Sequence, residues 1–272
     1  MRQKSILLPF LALVGGLAGL ALRLWQRNLA YDPTTQLMDP GSPISVALLV
    51  FLAALAAVVL VISVTEGKAS GDRFPFHCSG KWYLGLMIAG ACLFFFAAAV
   101  GVPELRDKIQ LWRSSMLFSA TPAPMPIAQG VTLALCLAGG MGALITGRNN
   151  GRLTEASVTR NWSTLPAYAA LPWLISVYQE HSVSADLTAV YLPILASAAL
   201  LLALYFQSAC YFDRTNLPAA RFFSTMGPAL GLASLGDGLT LFQILFTLAL
   251  TVTALAGLAA LSWGTAPTRL KA

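Results

Sequence analysis

Charge is what this sequence has least of. Only 10% of its 272 residues are Asp, Glu, Lys or Arg, against about 25% in a soluble domain. That leaves too few ionised side chains to cover a water-facing surface, and no polar stretch is long enough to form even one soluble domain. Histidine is nearly missing. His77 and His181 are the only two, and they fall in loops or at a helix end on opposite sides of the reading developed below, so they cannot share a metal ion. The four cysteines, Cys78, Cys92, Cys136 and Cys210, contain no CxxC pair. Three lie in or beside apolar segments, where a thiol packs as a small hydrophobe, so neither a disulfide framework nor a metal-ligand set is expected. HExxH, the GxSxG nucleophile elbow and the phosphate-binding loop are all lacking. The expectation is therefore not an enzyme, with no catalytic residue, metal or cofactor assigned. The net charge of +6 comes without a basic run or an interleaved aromatic platform, which argues against nucleic acid as a partner.

Apolar runs, in contrast, recur along the chain, and most charges sit in the gaps between them. A helix needs about 20 mostly apolar residues to cross the hydrocarbon core, and isolated strands cannot span because their backbone groups would go unpaired in lipid. The runs are apolar on all faces rather than alternating, so the reading is an all-α polytopic transmembrane bundle, one integral membrane domain over residues 1–272. Eight spans are predicted: Ser5–Leu22, Ile44–Val64, Trp82–Val102, Ile127–Thr146, Trp162–His181, Leu187–Phe206, Leu217–Leu235 and Thr240–Trp263. The fifth is interrupted by Pro166 and Pro172, and the seventh carries Arg221 and Pro228. Each of these two reads as a full crossing or as a shorter, tilted or re-entrant element. Arg2 and Lys4 before the first run imitate a signal peptide, but the run exceeds the usual 7–15 residues or so and is followed by Arg23 and Arg27, so an uncleaved first span is expected.

Orientation follows the Lys and Arg of the short loops. With eight spans, twelve of them, including Arg2, Lys4, Lys68, Arg73, Lys81, Arg148, Arg152 and Arg160, fall on one side, and five, Arg23, Arg27, Arg106, Lys108 and Arg113, on the other. Both termini are accordingly placed in the cytoplasm, and the address is a bacterial cytoplasmic membrane. Losing the fifth or the seventh span alone would reverse every later loop and spoil the bias.

Ionisable groups inside the bilayer usually mark transport or proton relay. Spans one to four, six and eight have none near their centres, so a coupled carrier would need broken helices instead, for which Pro172 and Gly227-Pro228 are the candidate positions. Candidate functional or structural residues gather on the outer face: Asp32, Glu180, His181 and Asp237. Asp32 lies in the first outer loop, Asn28 to Ser42, whose Asp32-Pro33 and Asp39-Pro40-Gly41-Ser42-Pro43 clusters make tight turns. That loop is expected to fold over the bundle, with a ligand lid as the alternative. Tyr178-Gln179-Glu180-His181, followed by Asp186 and joined by Asp237, reads either as a solvated interfacial rim or as an acidic mouth that attracts cations. Asp237 lies in the turn before span eight. There Thr240 and Gln243 have capping-box spacing, and the carboxylate is expected near the positive helix end, in a capping role. Small residues four apart, at Gly15 and Gly19, at Gly139, Ala143 and Gly147, and at Gly227 and Gly231, let backbones approach closely. Packing within one bundle is the preferred use, and dimerisation the alternative.

Leu22-Arg23-Leu24-Trp25-Gln26, followed by Tyr31-Asp32-Pro33 and Pro40-Gly41, together with the Leu235-Gly236-Asp237-Gly238 turn and the eight-span pattern, resembles a family of uncharacterised bacterial polytopic membrane proteins. The resemblance implies a shared fold and carries no activity or functional residue. The expected role is non-enzymatic, an assembly or interaction component, with a small-solute permease lacking a conventional charged site as the alternative. The expected partners are the lipid bilayer and other membrane proteins or a second copy of the chain.

Overall fold

A computed structural model describes residues 7–30, 39, 41–67, 81–118, 126–152, 156–181, 187–212 and 216–263. Nine α-helices occupy them: α1 (Leu8–Leu29), α2 (Pro43–Gly67), α3 (Lys81–Phe118), α4 (Ile127–Gly151), α5 (Ala156–Ser163), α6 (Leu165–His181), α7 (Leu187–Ala209), α8 (Leu217–Ser234) and α9 (Leu241–Trp263). No strand occurs among the described residues. Single 3-10 turns follow α7 at Cys210–Phe212 and α8 at Leu235–Asp237. The protein is an all-α helical bundle. Six of its helices, α1, α2, α3, α4, α7 and α9, are long and apolar enough to cross a membrane.

Each predicted span corresponds to one long helix, and the differences lie at the ends. α1 continues past Leu22 to Leu29, so Arg23 and Arg27 belong to the helix rather than to a loop. α3 continues through Pro103 to Phe118. Its 38 residues extend about 57 Å at ~1.5 Å per residue, roughly twice the ~30 Å hydrocarbon thickness. Glu104, Arg106, Asp107, Lys108 and Arg113 therefore sit on a helical extension. Beyond the proline, Leu105, Ile109, Trp112 and Met116 keep a helical apolar period, which the surrounding charges obscure.

The proline-bearing elements are whole. Pro166 stands in the first turn of α6, where its missing N–H removes no helical hydrogen bond. α6 and α8 then run unbroken through Pro172 and Pro228. Asn216 starts α8, its Oδ1 accepting from the Ala219 amide at 3.3 Å. Both helices run the height of the bundle. α6 begins beside Met87 and Tyr211 and finishes at Glu180, bonded to the start of α9. α8 begins near Gln207, bonded to Ser224, and finishes against the end of α1.

Chain-adjacent long helices thus alternate in direction. One end of the bundle collects the ends of α1, α6 and α8 with the starts of α2, α4, α7 and α9. The other collects the start of α3 and the ends of α4 and α7.

α8 and α9 form the centre. α8 packs on α7, α1, α9 and α2, and α9 packs on α3, α8, α7 and α1. α2 is peripheral and largely exposed, whereas most of α9 is buried. Phe94, Trp173, Phe242 and Phe246 form an aromatic core joining α3, α6 and α9, with three edge-to-face contacts at 5.1–5.7 Å between ring centroids and Phe242 stacked on Phe246 at 5.9 Å.

The small residues serve this packing. A methyl group on Gly15 would meet Leu55 of α2, one on Gly19 would meet Ala233 of α8, and one on Gly147 would meet Met87 of α3. Gly139 faces Phe94 and Ala169, Gly227 faces the backbone of Ala199, and Gly231 faces Thr251 and Leu200. Ala143 is fully buried. All seven lie on contacts inside one chain.

Candidate functional site

The densest polar cluster lies at the end of the bundle where α1 finishes. Residues 23 and 26 are three apart on α1 and so share a helix face. That face turns inward, and both side chains are buried, Arg23 completely. Arg23 Nε donates to Asp237 Oδ1 in a buried ion pair. Arg23 Nη1 donates to Gln26 Oε1 at 2.6 Å, and Gln26 Nε2 donates to Ser45 Oγ at 2.8 Å. Ser45 Oγ lies 3.0 Å from the Asp39 carbonyl, to which it donates. The guanidinium stands 5.7 Å from the ring centroid of Tyr191, a cation–π geometry.

This chain of contacts joins the end of α1, the start of α2, the start of α7 and the α8–α9 turn. The turn itself closes through Gly238, at φ +70°, a left-handed conformation that glycine adopts without steric cost. Arg27 seals it from outside, Nη1 donating to the Gly236 carbonyl at 2.9 Å. Burial pushes the Asp237 carboxyl up, to about 6, against the downward pull of Arg23 and Arg27. Asp237 Oδ2 is buried with no hydrogen-bond partner among the described residues.

This geometry corrects two expectations about Asp237. It does not cap the last helix: Thr240 does, its Oγ1 accepting from the Gln243 amide at 3.3 Å while Gln243 Oε1 accepts from the Thr240 amide at 2.9 Å. The capping-box spacing is realised, but the neighbouring carboxylate is drawn away to a buried cation on α1. Nor does Asp237 join an acidic rim, because its side chain is 4% exposed and already paired with that cation.

Glu180 belongs to a second group at the same end. Its Oε2 accepts from Gln243 Nε2 at 2.8 Å, and its Oε1 lies 3.4 Å from Lys108 Nζ. Lys108 also lies 3.4 Å from Glu104, which accepts from Gln129 at 3.3 Å. Such half-exposed pairs on the rim contribute at most about 1 kcal/mol each. They tie α6, α3, α4 and α9 together, and they fill the carboxylate with donors from the protein itself. Asp32 and the side chain of His181 lie outside the described residues. In the first loop, Asp39 Oδ1 accepts from the Gly41 amide at 2.9 Å, the tight Asx turn expected of that cluster. The rest of its Asp and Pro cluster, Asp32, Pro33 and Pro40, lies outside the described residues.

At the opposite end a neutral cluster stands where no site was expected. Asn150 Nδ2 donates to the hydroxyls of Tyr83 at 3.0 Å and Tyr211 at 2.6 Å, all three side chains being buried. Gln207 Nε2 donates to Ser224 Oγ at 2.9 Å and to the Ala254 carbonyl at 2.8 Å. Asn150 stands in Arg148-Asn149-Asn150-Gly151, which reads as a loop. The two asparagines complete α4 instead.

Among the described residues no group of three or more His, Cys, Asp or Glu could hold a metal ion. Both polar clusters fasten helices to one another. Comparison of the chain with protein-family models, with curated proteins and with solved structures returned no match.

Proposed function

We propose that this is a multi-pass integral protein of a bacterial cytoplasmic membrane, with eight crossings and both termini in the cytoplasm. Its role in this reading is non-enzymatic, that of an assembly or interaction component. The membrane part is supported by the six long apolar helices and by large apolar side chains exposed on the outer faces of the bundle, among them Val14, Leu49, Val61, Phe96, Leu137 and Leu195. Patches of this kind mark lipid or protein contact. α6 and α8 complete the eight crossings because each runs between the same two ends as its neighbours.

The observation that carries the role is the state of the interior. Arg23 is paired with Asp237, and Gln26 donates to Ser45, Gln207 to Ser224 and the Ala254 carbonyl, and Asn150 to Tyr83 and Tyr211, each contact joining different elements of the bundle. A solute path near the midplane would draw on polar residues such as Tyr168, Ser176, Tyr191, Gln243 and Thr247, and these do not share one described cavity. Gln243 and Thr247 line a small cavity with Ser197 and Ser234, while Tyr168 faces outward and Tyr191 packs against Arg23. That cavity leaves about 10 Å³ for the centre of a water molecule, the margin for holding one.

Liposomes containing the purified protein are expected to take up small polar solutes such as glycerol, urea and alanine no faster than protein-free liposomes, measured by light-scattering shrinkage and regrowth. Faster, saturable uptake would replace this role with the alternative, a small-solute permease, for which the Gln243–Thr247 cavity is the feature in favour.

Orientation is tested separately through Cys78, whose loop lies outside the described residues. An impermeant maleimide is expected to label Cys78 only after the membrane is opened, because the charge bias puts that loop inside. Cys136 and Cys210 are buried, and Cys92, which is exposed on α3, is first replaced with Ala so that Cys78 alone is read. Labelling of Cys78 in intact cells reverses the topology.

A further inference from the structure

A pocket lies at the Tyr83 end, where α3, α4, α6, α7 and α9 meet under the end of α5. Its wall includes Thr146, Ser163, Gln207, Tyr211 and Thr253. Thr146 is buried, and its Oγ1 has no hydrogen-bond partner among the described residues. A hydroxyl in a helix ordinarily donates to the carbonyl three or four residues earlier. Thr132 and Thr253 do so, at 2.8 Å and 2.7 Å, and Thr146 does not. A buried hydroxyl without a partner is costly.

The pocket leaves about 20 Å³ for the centre of a water molecule, enough for one water and too little for a larger solute. Its chemistry selects the same occupant. Thr253 Oγ1 and Ser163 Oγ each spend their single proton on a backbone carbonyl, so what they present to the pocket is lone pairs. Thr146 has a proton to give. The occupant must therefore accept one hydrogen bond and donate others, and no charged side chain among the described residues lines the cavity to call for an ion.

We propose that this pocket is a binding site for a structural water, which accepts from Thr146 Oγ1 and donates to the hydroxyl oxygens of the facing helices. The water joins α4 to α9 and to the α5–α6 junction, beside the Asn150–Tyr83–Tyr211 cluster. It hydrates this end of the bundle. The inference concerns the interior and holds whichever role the protein has.

Thr146→Val tests it, because valine matches threonine in shape and lacks the hydroxyl. If the water is bound, Thr146→Val loses a satisfied hydrogen bond, and Tm in detergent falls by about 2–4 °C. Thr146→Ser keeps the hydroxyl and is expected to lie closer to wild type than the valine variant. If the pocket is dry, valine removes an unpartnered polar group and Tm stays level or rises, which overturns the proposal. A high-resolution density map supplies the second reading. A peak about 2.8 Å from Thr146 Oγ1 is expected in wild type and gone in Thr146→Val, and a wild-type map without the peak overturns the proposal even if both variants unfold early.

Discussion

Replacing Arg23 with Met is expected to lower the unfolding free energy by about 3–5 kcal/mol. Methionine keeps most of the side-chain volume and removes the charge and the donors. Asp237 then stands buried without its cation, and Gln26 Oε1 loses the Arg23 donor that holds it at 2.6 Å. The cost of a broken buried pair comes from the charge left behind rather than from the strength of the pair. The double variant Arg23→Met/Asp237→Leu, which removes both charges, is therefore expected to recover most of the loss.

The pH dependence has a definite sign. The folded-state value of Asp237 is already raised, from 3.8 to about 6, by burial, and losing Arg23 removes the largest downward pull on it and raises it further. A carboxyl with a raised folded value contributes stability that is full below its unfolded value and is lost as pH rises through the folded one. The deficit of Arg23→Met relative to wild type is thus smallest near pH 4 and grows as pH rises through 6 and beyond. Thermal unfolding in detergent from pH 4 to 8 measures it. A single variant as stable as wild type across that range, or a double variant no better than the single, would remove the buried pair as the lock on this end of the bundle.

That lock shows where reading the sequence stops. The eight apolar runs were legible because each is a local property of about 20 residues, and bundle packing only moved their ends. The Thr240–Gln243 cap was legible for the same reason, its two partners being three residues apart. The Arg23–Asp237 pair joins positions 214 apart, and nothing local announces it. Arg23 follows an apolar run and looks like the usual interfacial charge. The only available signal was its three-residue spacing to Gln26 on the face of α1 that also carries Gly16 and Gly19. Asn150 was hidden in a similar way, since Asn and Gly near a predicted helix end suggest a turn until Tyr83 and Tyr211 supply acceptors for its amide. The glycine stripes were visible as spacing, but spacing does not say which helix each one faces.

Those facing partners set the last prediction. Gly227→Ala is expected to destabilise the protein by about 1–3 kcal/mol, and Gly227→Val by more, whereas Gly139→Ala is neutral or stabilising by up to about 1 kcal/mol. The same methyl group is added in both alanine variants, so the difference lies in what it meets. At Gly139 it would lie 3.4 Å from the Phe94 ring and 3.5 Å from Ala169 Cβ, ordinary contact distances, and alanine's higher helix propensity is then a net gain. At Gly227 it would lie 2.9 Å from the carbonyl oxygen of Ala199 and 3.2 Å from its carbonyl carbon. Those are backbone atoms of α7 and cannot swing aside, so α7 and α8 must part along one of the closest helix contacts in the bundle. Thermal unfolding of the three variants in one detergent decides the matter. Equal effects of Gly227→Ala and Gly139→Ala would mean that the α7–α8 contact is looser than its geometry, and a loss at Gly139 alone would place the tight seam between α4 and α6 instead.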